Sequence, residues 1–422
     1  MCFYIILARR RERIMTYYEI KKVFSKKGSQ IALVLMIIVL IVVAYFIMEE
    51  NFFVNGNGDR EIGFAAISKI REGKKQWAGE LTEEKIRLVI EENLRLSQTS
   101  EALSKDFEQN DMNYSHQQGL MDIRNLLNYD YGGFNNYDYY LADSLSPGLA
   151  ADFYPNRIKN LKEWLNTDGK DLFSEKEKEY LLTKYEALKT PLYYDYQAGW
   201  KSLLQYAPSI TMIVTLVLSF LCSGIFSGEF QQKSSAVFYS SFHGRRKAIS
   251  AKIKAGLIII TVVYWGTMLI YTGLVLGMLG ADGANCPIQS YSAGWKSIYN
   301  ITNWQEYLLV ILGGYLGSLF MLLLTMLVSA RTNSAVVAVI IPFALIFLPS
   351  FLSGTSIPAL NKVLGLLPDQ LLQMNQVVKY FNLYEIAGRV FPAVPILLVV
   401  YAVFVLMIIP FVYLIYRKKQ VY

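Results

Sequence analysis

Six long runs of uncharged, apolar residues constrain this 422-residue chain more than any other feature. A helix needs about 20 such residues to cross the ~30 Å hydrocarbon core of a bilayer, because each residue rises by ~1.5 Å. Buried helices of a soluble protein would not produce six such runs in one chain. The runs are residues 31–48, 208–226, 255–279, 307–330, 335–352 and 394–416. We therefore predict an all-α membrane protein with six transmembrane helices, numbered 1 to 6 in chain order.

Basic residues near the ends of the runs predict the side of the membrane on which each connection lies. Lys and Arg are concentrated in residues 1–30, in the loop 227–254 and in the tail 417–422, and such clusters face the cytoplasm. Both termini are therefore predicted to be cytoplasmic. Three remaining connections are predicted to be extracellular: residues 49–206, 280–306 and 353–393. The net charge of +7 then reflects topology and gives no support for nucleic-acid binding.

The largest connection, residues 49–206, is predicted to form a mainly helical extracellular domain. In one segment Thr82 caps a first turn that carries Glu83 and Glu84, which suits the positive end of a helix. Four segments have the apolar spacing of helices: residues 81–96, 116–129, 155–166 and 173–190. The connection 353–393 is too polar to cross the membrane, and we interpret it as a re-entrant or surface segment.

A Gly-, Asn- and Asp-rich loop at residues 128–148 carries many aromatic side chains. Aromatic residues on an adaptable loop are suited to bind a peptide or a glycan. The alternative is that they only pack on their own domain. The candidates for ligand contact are Tyr129, Tyr131, Phe134, Tyr137, Tyr139 and Tyr140.

A short amphipathic helix is predicted before the first run, within the cytoplasmic residues 1–30. Lysines beside its apolar face would point toward lipid phosphates. The alternative is a plain basic flank of the first span. The candidate interfacial residues are Tyr17, Tyr18, Ile20, Val23 and Phe24.

Motifs of enzymes and of self-powered transporters are missing from the sequence. There is no GxxxxGK[ST] phosphate loop, no HExxH and no GxSxG, and the chain has 2 histidines. Carriers driven by an ion gradient usually place ionisable side chains inside the bilayer, and the six runs contain no Asp, Glu, Lys or Arg. We expect no catalytic, cofactor-binding or metal-binding residues in this chain. Energy for transport is expected to enter from outside the bilayer.

Glycines in two of the runs predict close contacts between helices. Gly273 and Gly277 in the third run, and Gly313 and Gly317 in the fourth, have the GxxxG spacing that lets helix backbones approach in lipid. We predict that these contacts lie within one subunit. A seam between two subunits is the alternative.

The loop between the second and third runs reads FSGEFQQKSSAVFYSSFHGRRKAISAKIK over residues 226–254. An acidic residue follows the second run, a short amphipathic piece comes next, and a basic cluster leads to a lysine that enters the third run. Together with the six-span topology, this pattern resembles the permease subunits of ATP-binding-cassette transporters in the type-2 exporter superfamily. The large insert after the first run is similar to that of the Gram-positive bacterial members.

Single residues of this loop carry the resemblance. Glu229 matches the acidic position of those permeases, and Arg246, Ile249 and Lys252 match their approach to the third span. The chain departs from the pattern where Lys233-Ser234 replaces the usual Gly-Thr. It departs again before the basic cluster, where His-Gly stands in place of the usual Pro.

The resemblance implies that the loop is a coupling helix that receives work from a separate ATPase. The expected partners are two ATPase subunits, which would hold ATP and Mg, a second permease subunit, identical or homologous, and membrane lipid. An apolar stripe would enter a groove of the ATPase: Phe230, Ala236, Val237, Phe238 and Phe242. The expected ATPase-coupling residues are Glu229, Phe230, Gln231, Lys233, Phe238, Arg245, Arg246 and Lys252. Binding of the basic loop to anionic lipid headgroups is the alternative.

The predicted function is ATP-driven export through a bacterial cytoplasmic membrane. The cargo would be a peptide, an antibiotic or a lipid-like amphiphile, because an uncharged span lining suits apolar molecules. The alternative is a membrane sensor or scaffold whose extracellular domain binds a ligand and signals through the same loop without transport.

Overall fold

The computed structural model describes residues 2–104, 106–241, 246–352 and 357–418. It is 73% helical with few short strands, which confirms the predicted all-α membrane class. In chain order the helices are α1 (Cys2–Phe24), α2 (Lys27–Glu50), α3 (Phe64–Lys75), α4 (Glu83–Ser97), α5 (Phe107–Gln117), α6 (Met121–Tyr131), α7 (Phe153–Asn166), α8 (Glu175–Glu186), α9 (Ala198–Gln231), α10 (Ser235–Ser240), α11 (Lys247–Leu279), α12 (Asn303–Thr332), α13 (Ala335–Leu352), α14 (Pro358–Leu364), α15 (Asp369–Leu372), α16 (Met374–Lys379) and α17 (Ala393–Arg417). The strands pair antiparallel as β1 (Phe53–Val54) with β2 (Arg60–Glu61), β3 (Gly79–Glu80) with β4 (Tyr193–Tyr194), and β5 (Leu383–Ile386) with β6 (Arg389–Pro392).

Six of these helices are long and apolar enough to cross a membrane, and we call them spans 1 to 6: α2, α9, α11, α12, α13 and α17. Spans 2 and 3 contain 34 and 33 residues, so they extend well beyond the apolar runs 208–226 and 255–279. The predicted loop 227–254 is therefore largely helical, and the connection between the two spans comprises only residues 232–246. Helix persists through the charged ends because those side chains pair with one another or reach water.

Span 2 lies at the centre of the bundle. It contacts spans 1, 3, 4 and 5, and 67% of its most apolar window is buried, against 17% for span 1. Small polar side chains join it to span 4, since Thr215 Oγ1 lies 2.7 Å from Ser318 Oγ and the Ser227 N–H donates to Ser329 Oγ at 3.1 Å. Hydrogen bonds of this kind stabilise helix association where water does not compete.

The two GxxxG pairs differ in whether another helix packs against them. A Cβ on Gly313 would lie 2.8 Å from Met374 Cε, and one on Gly317 would lie 2.8 Å from Leu372 Cδ2, so both glycines admit α15 and α16 against span 4. By contrast, a Cβ on Gly273 or Gly277 would have no heavy atom of the described chain within 4 Å beyond its own helix backbone. The prediction of packing within one subunit is therefore wrong for the pair in span 3, because that face points away from the bundle.

Residues 51–197, which we call the insert domain, are built from the predicted amphipathic helices. Thr82 caps α4 by accepting from the Lys85 N–H at 3.3 Å, and Ser174 and Glu177 form a reciprocal capping box at the start of α8. The apolar faces meet in a core that includes Ile86, Ile90, Ile123, Leu126 and Phe153.

The structure differs from the predicted helix over 116–129. The chain instead ends α5 at Gln117, turns, and starts α6 at Met121. Gly119 in that turn lies against α3, and a Cβ there would be 3.0 Å from the carbonyl oxygen of Gly73. The helix is therefore interrupted where the two backbones approach closely. Glycine fits at position 119 because it has no side chain.

Ion pairs fasten the insert domain to the bundle. Lys201 at the start of span 2 and Lys74 of α3 lie 2.8 Å and 3.0 Å from the two carboxylate oxygens of Asp122 in α6. Burial alone would raise the pKa of Asp122, but the two amines outweigh it and hold that pKa well below its usual range. Glu177 of α8 pairs with Lys362 of α14 at 2.7 Å. The insert domain, span 2 and the segment before span 6 therefore pack as one unit.

Candidate functional site

The connection between spans 2 and 3 begins with a tight reversal. Span 2 ends at Gln231, and Lys233 adopts a φ of 53°, in the left-handed region. The Ser234 N–H donates to the Glu229 carbonyl oxygen at 2.8 Å and closes the end of the helix. Glycine adopts this backbone conformation without steric cost. The departure from the usual Gly-Thr thus places a strained lysine at the turn.

We expect Lys233→Gly to be tolerated or to raise the free energy of unfolding by up to ~1 kcal/mol, because it relieves the left-handed strain. Gln232→Gly is the matched control: Gln232 has a φ of −88°, so glycine there should cost ~1 kcal/mol. Thermal unfolding of the purified variants measures both. Equal destabilisation by the two substitutions would show that Lys233 is not strained.

Aromatic side chains hold the inner face of α10 on the end of span 6. Tyr239 is buried and donates its hydroxyl to the Tyr416 carbonyl oxygen at 3.0 Å. The rings of Phe238 and Phe230 lie 6.0 Å and 6.3 Å from the Tyr416 ring. Phe230 and Phe238 thus pack partly against their own chain, and their contact with a partner stays a prediction.

The outer face of α10 is exposed. Val237 has 73% of its surface accessible, and Ala236 beside it is exposed as well. Among the predicted coupling residues, Gln231, Lys233 and Arg246 also lie at the surface of this connection. Phe242 and Arg245 fall outside the described residues. The surface available to a partner is thus an apolar patch bordered by basic and amide side chains.

Behind α10 lies a buried charged cluster. Lys252 of span 3 is completely buried and its amine donates to Glu229 Oε1 at 2.7 Å, to the Ile225 carbonyl oxygen at 2.7 Å and to Glu19 Oε2 at 3.1 Å. The side chain of Glu229 in span 2 is only 8% exposed. The prediction that Glu229 and Lys252 touch an ATPase is therefore wrong for this structure, since neither reaches the surface. Burial of the pair is sustained because each charge has several partners.

Two further elements complete this cluster. Lys22 of α1 donates to Glu229 Oε1 at 2.9 Å, and the Tyr416 hydroxyl of span 6 lies 3.3 Å from Glu229 Oε2. The same hydroxyl donates to the Phe226 carbonyl oxygen at 3.0 Å. We call Glu19, Lys22, Glu229, Lys252 and Tyr416 the junction cluster. It joins α1 to spans 2, 3 and 6 directly behind α10.

One face of helix α1 packs against the membrane bundle, so the helix does not only lie on lipid. Val23 is buried, and Ile20 and Phe24 pack against the bundle core, whereas Tyr17 and Tyr18 are each 61% exposed. Of the five predicted interfacial residues, only the two tyrosines therefore remain available to lipid. The amine of Lys22, predicted to face phosphates, points inward to the junction cluster.

The predicted ligand loop mostly packs on its own domain. The Tyr131 hydroxyl donates to the Leu149 carbonyl oxygen at 2.6 Å, and the rings of Tyr129 and Tyr137 lie 4.7 Å apart. Tyr140 remains 70% exposed beside Tyr139. Phe134 differs from the others, because it stacks on Trp164 at the wall of a cavity.

Sequence reasoning missed Glu19, Lys22, Tyr239 and Tyr416 as parts of this site. Glu19 and Lys22 are three residues apart, a spacing that places both on one face of α1. That spacing is the signal that could have found them. Nothing local in the sequence places Tyr416 beside Glu229, which is 187 residues away.

The chain was compared with known protein families, curated proteins and solved structures. A family model described as ABC-2 family transporter protein matches residues 26–417. No curated protein and no solved structure matches the chain. Members of such a permease family work with an ATP-binding partner subunit. Because the match covers nearly the whole sequence, the chain belongs to the ABC-2 transporter family and is a membrane-embedded permease subunit.

Proposed function

We propose that this permease exports an apolar cargo with work received at α10 from a separate ATPase. The observation that carries the proposal is the two-sided construction of α10. Its outer face presents Val237 to a partner, while Tyr239 on its inner face is bonded to Tyr416 of the junction cluster. A push on the outer face would therefore reach α1 and spans 2, 3 and 6 together.

The exposed chemistry indicates the complementary surface. Val237 and Ala236 would enter an apolar groove, and Lys233 and Arg246 would face an acidic rim. ATP and Mg would be held by the partner, with no cofactor in this chain. We propose two ATPase subunits and a second permease subunit, in keeping with the exposed glycine face of span 3.

The orientation follows from the charges. Lys and Arg flank α10 and precede span 1, so this end of the bundle faces the cytoplasm in our proposal. The insert domain would then lie outside a bacterial cytoplasmic membrane, with both termini inside. Cargo would be a peptide, an antibiotic or a lipid-like amphiphile, because the spans offer it an apolar lining.

We expect Val237→Glu to reduce ATPase binding at least ~tenfold, because it places an acidic group on the apolar patch against an acidic rim. Val237 is exposed, so the fold should tolerate the change. Leu103→Glu in the insert domain is the matched control, since Leu103 is 74% exposed. Co-purification of the ATP-binding subunit in mild detergent measures the effect. Equal recovery of the ATPase with both variants would refute docking at this face.

The second candidate is a sensor or scaffold that signals through α10 without transport. The cavity lined by Phe134 is the observation behind it, because a ligand bound in the insert domain would give a sensor its input. Reconstituted vesicles distinguish the two: a transporter moves cargo when ATP is supplied, and a sensor changes ATPase binding with no flux.

A further inference from the structure

A cavity of about 550 Å³ lies where the insert domain meets the segment before span 6. Its walls come from three parts of the chain: Phe134, Trp164 and Phe173 of the insert domain, Lys296 of the connection after span 3, and Lys379 and Phe381 near the end of α16. Ligand sites are commonly concave, largely apolar and placed between structural units. We call it the aromatic cavity.

Aromatic rings form one wall of the aromatic cavity. Phe134 and Trp164 are stacked with ring centroids 4.6 Å apart, and Phe381 lies 5.7 Å from Phe134. Phe173 meets Trp164 edge to face at 5.9 Å. The rings hold one another in place, so the wall is preformed and offers flat apolar surface to an aromatic or planar guest.

The charged side chains that line the aromatic cavity are all basic. Lys296 and Lys379 line it, and none of the described lining residues is acidic. The Lys296 amine donates to the neutral Asn135 Oδ1 at 2.8 Å and lies 4.8 Å from the centre of the Phe134 ring. Within the described chain the Lys379 amine has no hydrogen bond or ion pair. Neither of these two half-buried cations is therefore in an ion pair within the described chain, although Glu306 attracts Lys379 from a distance.

Burial disfavours the charged forms of these two amines. It lowers the pKa of Lys296 below its ordinary value. It also lowers the pKa of Lys379, where the attraction of Glu306 offsets only part of the effect. An anion placed between the amines would favour their charged forms, because its negative charge would replace the stabilisation that water gives an exposed amine.

We propose that the aromatic cavity binds a small anionic molecule with an aromatic or flat apolar body. The anionic group, a carboxylate or phosphate, would sit between the Lys296 and Lys379 amines. The apolar body would lie against the rings of Phe134, Trp164 and Phe381. Cationic molecules are excluded by the two lysines. The proposal does not depend on ATPase docking, so either one can fail alone.

The test uses the full chain in lipid nanodiscs and 2-naphthoate as the probe. Calorimetric titration should show saturable binding with one site per chain, and empty nanodiscs subtract partition into lipid. The neutral analogue 2-naphthamide should bind at least ~tenfold more weakly, because it cannot pair with either amine. This comparison needs no variant and is unaffected by misfolding. Absence of saturable binding, or equal binding of the two probes, would overturn the proposal.

Variants then locate the site. Lys296→Gln combined with Lys379→Gln should weaken 2-naphthoate binding at least ~tenfold, whereas Arg at both positions should keep it within ~threefold. Lys159→Gln is the matched control, because Lys159 lies on the same domain and its side chain is 67% exposed. Unchanged binding in the double Gln variant would place the probe elsewhere and contradict the assignment.

Discussion

Lys252→Met should destabilise this permease by about 3–5 kcal/mol, the usual cost of removing one partner from a buried ion pair. The lysine amine is completely buried and serves Glu229, Glu19 and the Ile225 carbonyl oxygen at once. Methionine keeps the length and packing of the side chain but leaves the buried Glu229 carboxylate with Lys22 as its remaining cationic partner. Thermal unfolding of the purified protein measures the loss.

A double variant separates charge from packing in the junction cluster. Adding Glu229→Gln to Lys252→Met removes both buried charges and should restore more than half of the lost stability. Lys254→Met is the matched control, because this exposed lysine lies two residues along the same helix and a surface charge contributes little. If the double variant were as unstable as Lys252→Met, the loss would come from packing and not from an unpaired charge.

Gly317→Leu should lower the free energy of unfolding by about 1–3 kcal/mol through overpacking. A Cβ at this position would lie 2.9 Å from Leu371 Cβ, an atom close to the backbone that cannot move aside easily. The larger side chain would therefore displace α15 from span 4. Thermal unfolding in detergent is again the measurement.

The chain supplies a matched position for this test. Gly277→Leu has the same chemistry in span 3, but its Cβ would have no heavy atom of the described residues within 4 Å beyond its own helix backbone. We expect little change in the stability of the isolated subunit. Similar losses at both glycines would mean that the glycine contacts of the structure do not explain their roles.

The six spans could be predicted from the sequence because the signal is local. Each apolar run is sufficient for a membrane helix without reference to the rest of the chain, and each was found as a helix. The ends were less predictable. Span 3 begins at Lys247, eight residues before the apolar run, and this extension includes Lys252. The buried partner of Lys252, Glu229, is not revealed by any local pattern.

Two helices of the insert domain, α3 and α5, were not predicted. Part of the reason is tertiary, since α3 meets the turn before α6 through a backbone contact between Gly73 and Gly119. Helix α5 has little apolar patterning, and Gln117 is its one buried residue. Segments held by such contacts carry no clear periodic signal.

The location of the candidate site was predicted from the sequence, but which of its residues are buried and which are exposed was not. Resemblance pointed to Glu229 and Lys252 as residues that matter, yet it placed them on a partner surface. The structure buries both and leaves Val237 as the prominent exposed group of α10. Sequence could not distinguish these arrangements, because the buried charges also contact residues far away in the chain, Glu19 for Lys252 and Tyr416 for Glu229.

The junction cluster gives the proposed coupling a physical basis. Interior packing transmits displacement because its neighbours have little free space to absorb it. Tyr239 transfers a movement of α10 to Tyr416, and Tyr416 contacts Glu229, which is bonded to Lys252 and Lys22. Four elements would then move together when the partner ATPase closes.

Photo-crosslinking from position 237 tests the central claim most directly. Benzoylphenylalanine replaces Val237 on the outer face of α10, and Leu103 in the insert domain serves as the control position. After irradiation of native membranes, mass spectrometry identifies what is attached. The account predicts an adduct at position 237 with a subunit that carries a GxxxxGK[ST] phosphate loop, and no such adduct at position 103. Attachment at position 237 to lipid alone, with the ATPase present and active in the same membranes, would contradict it.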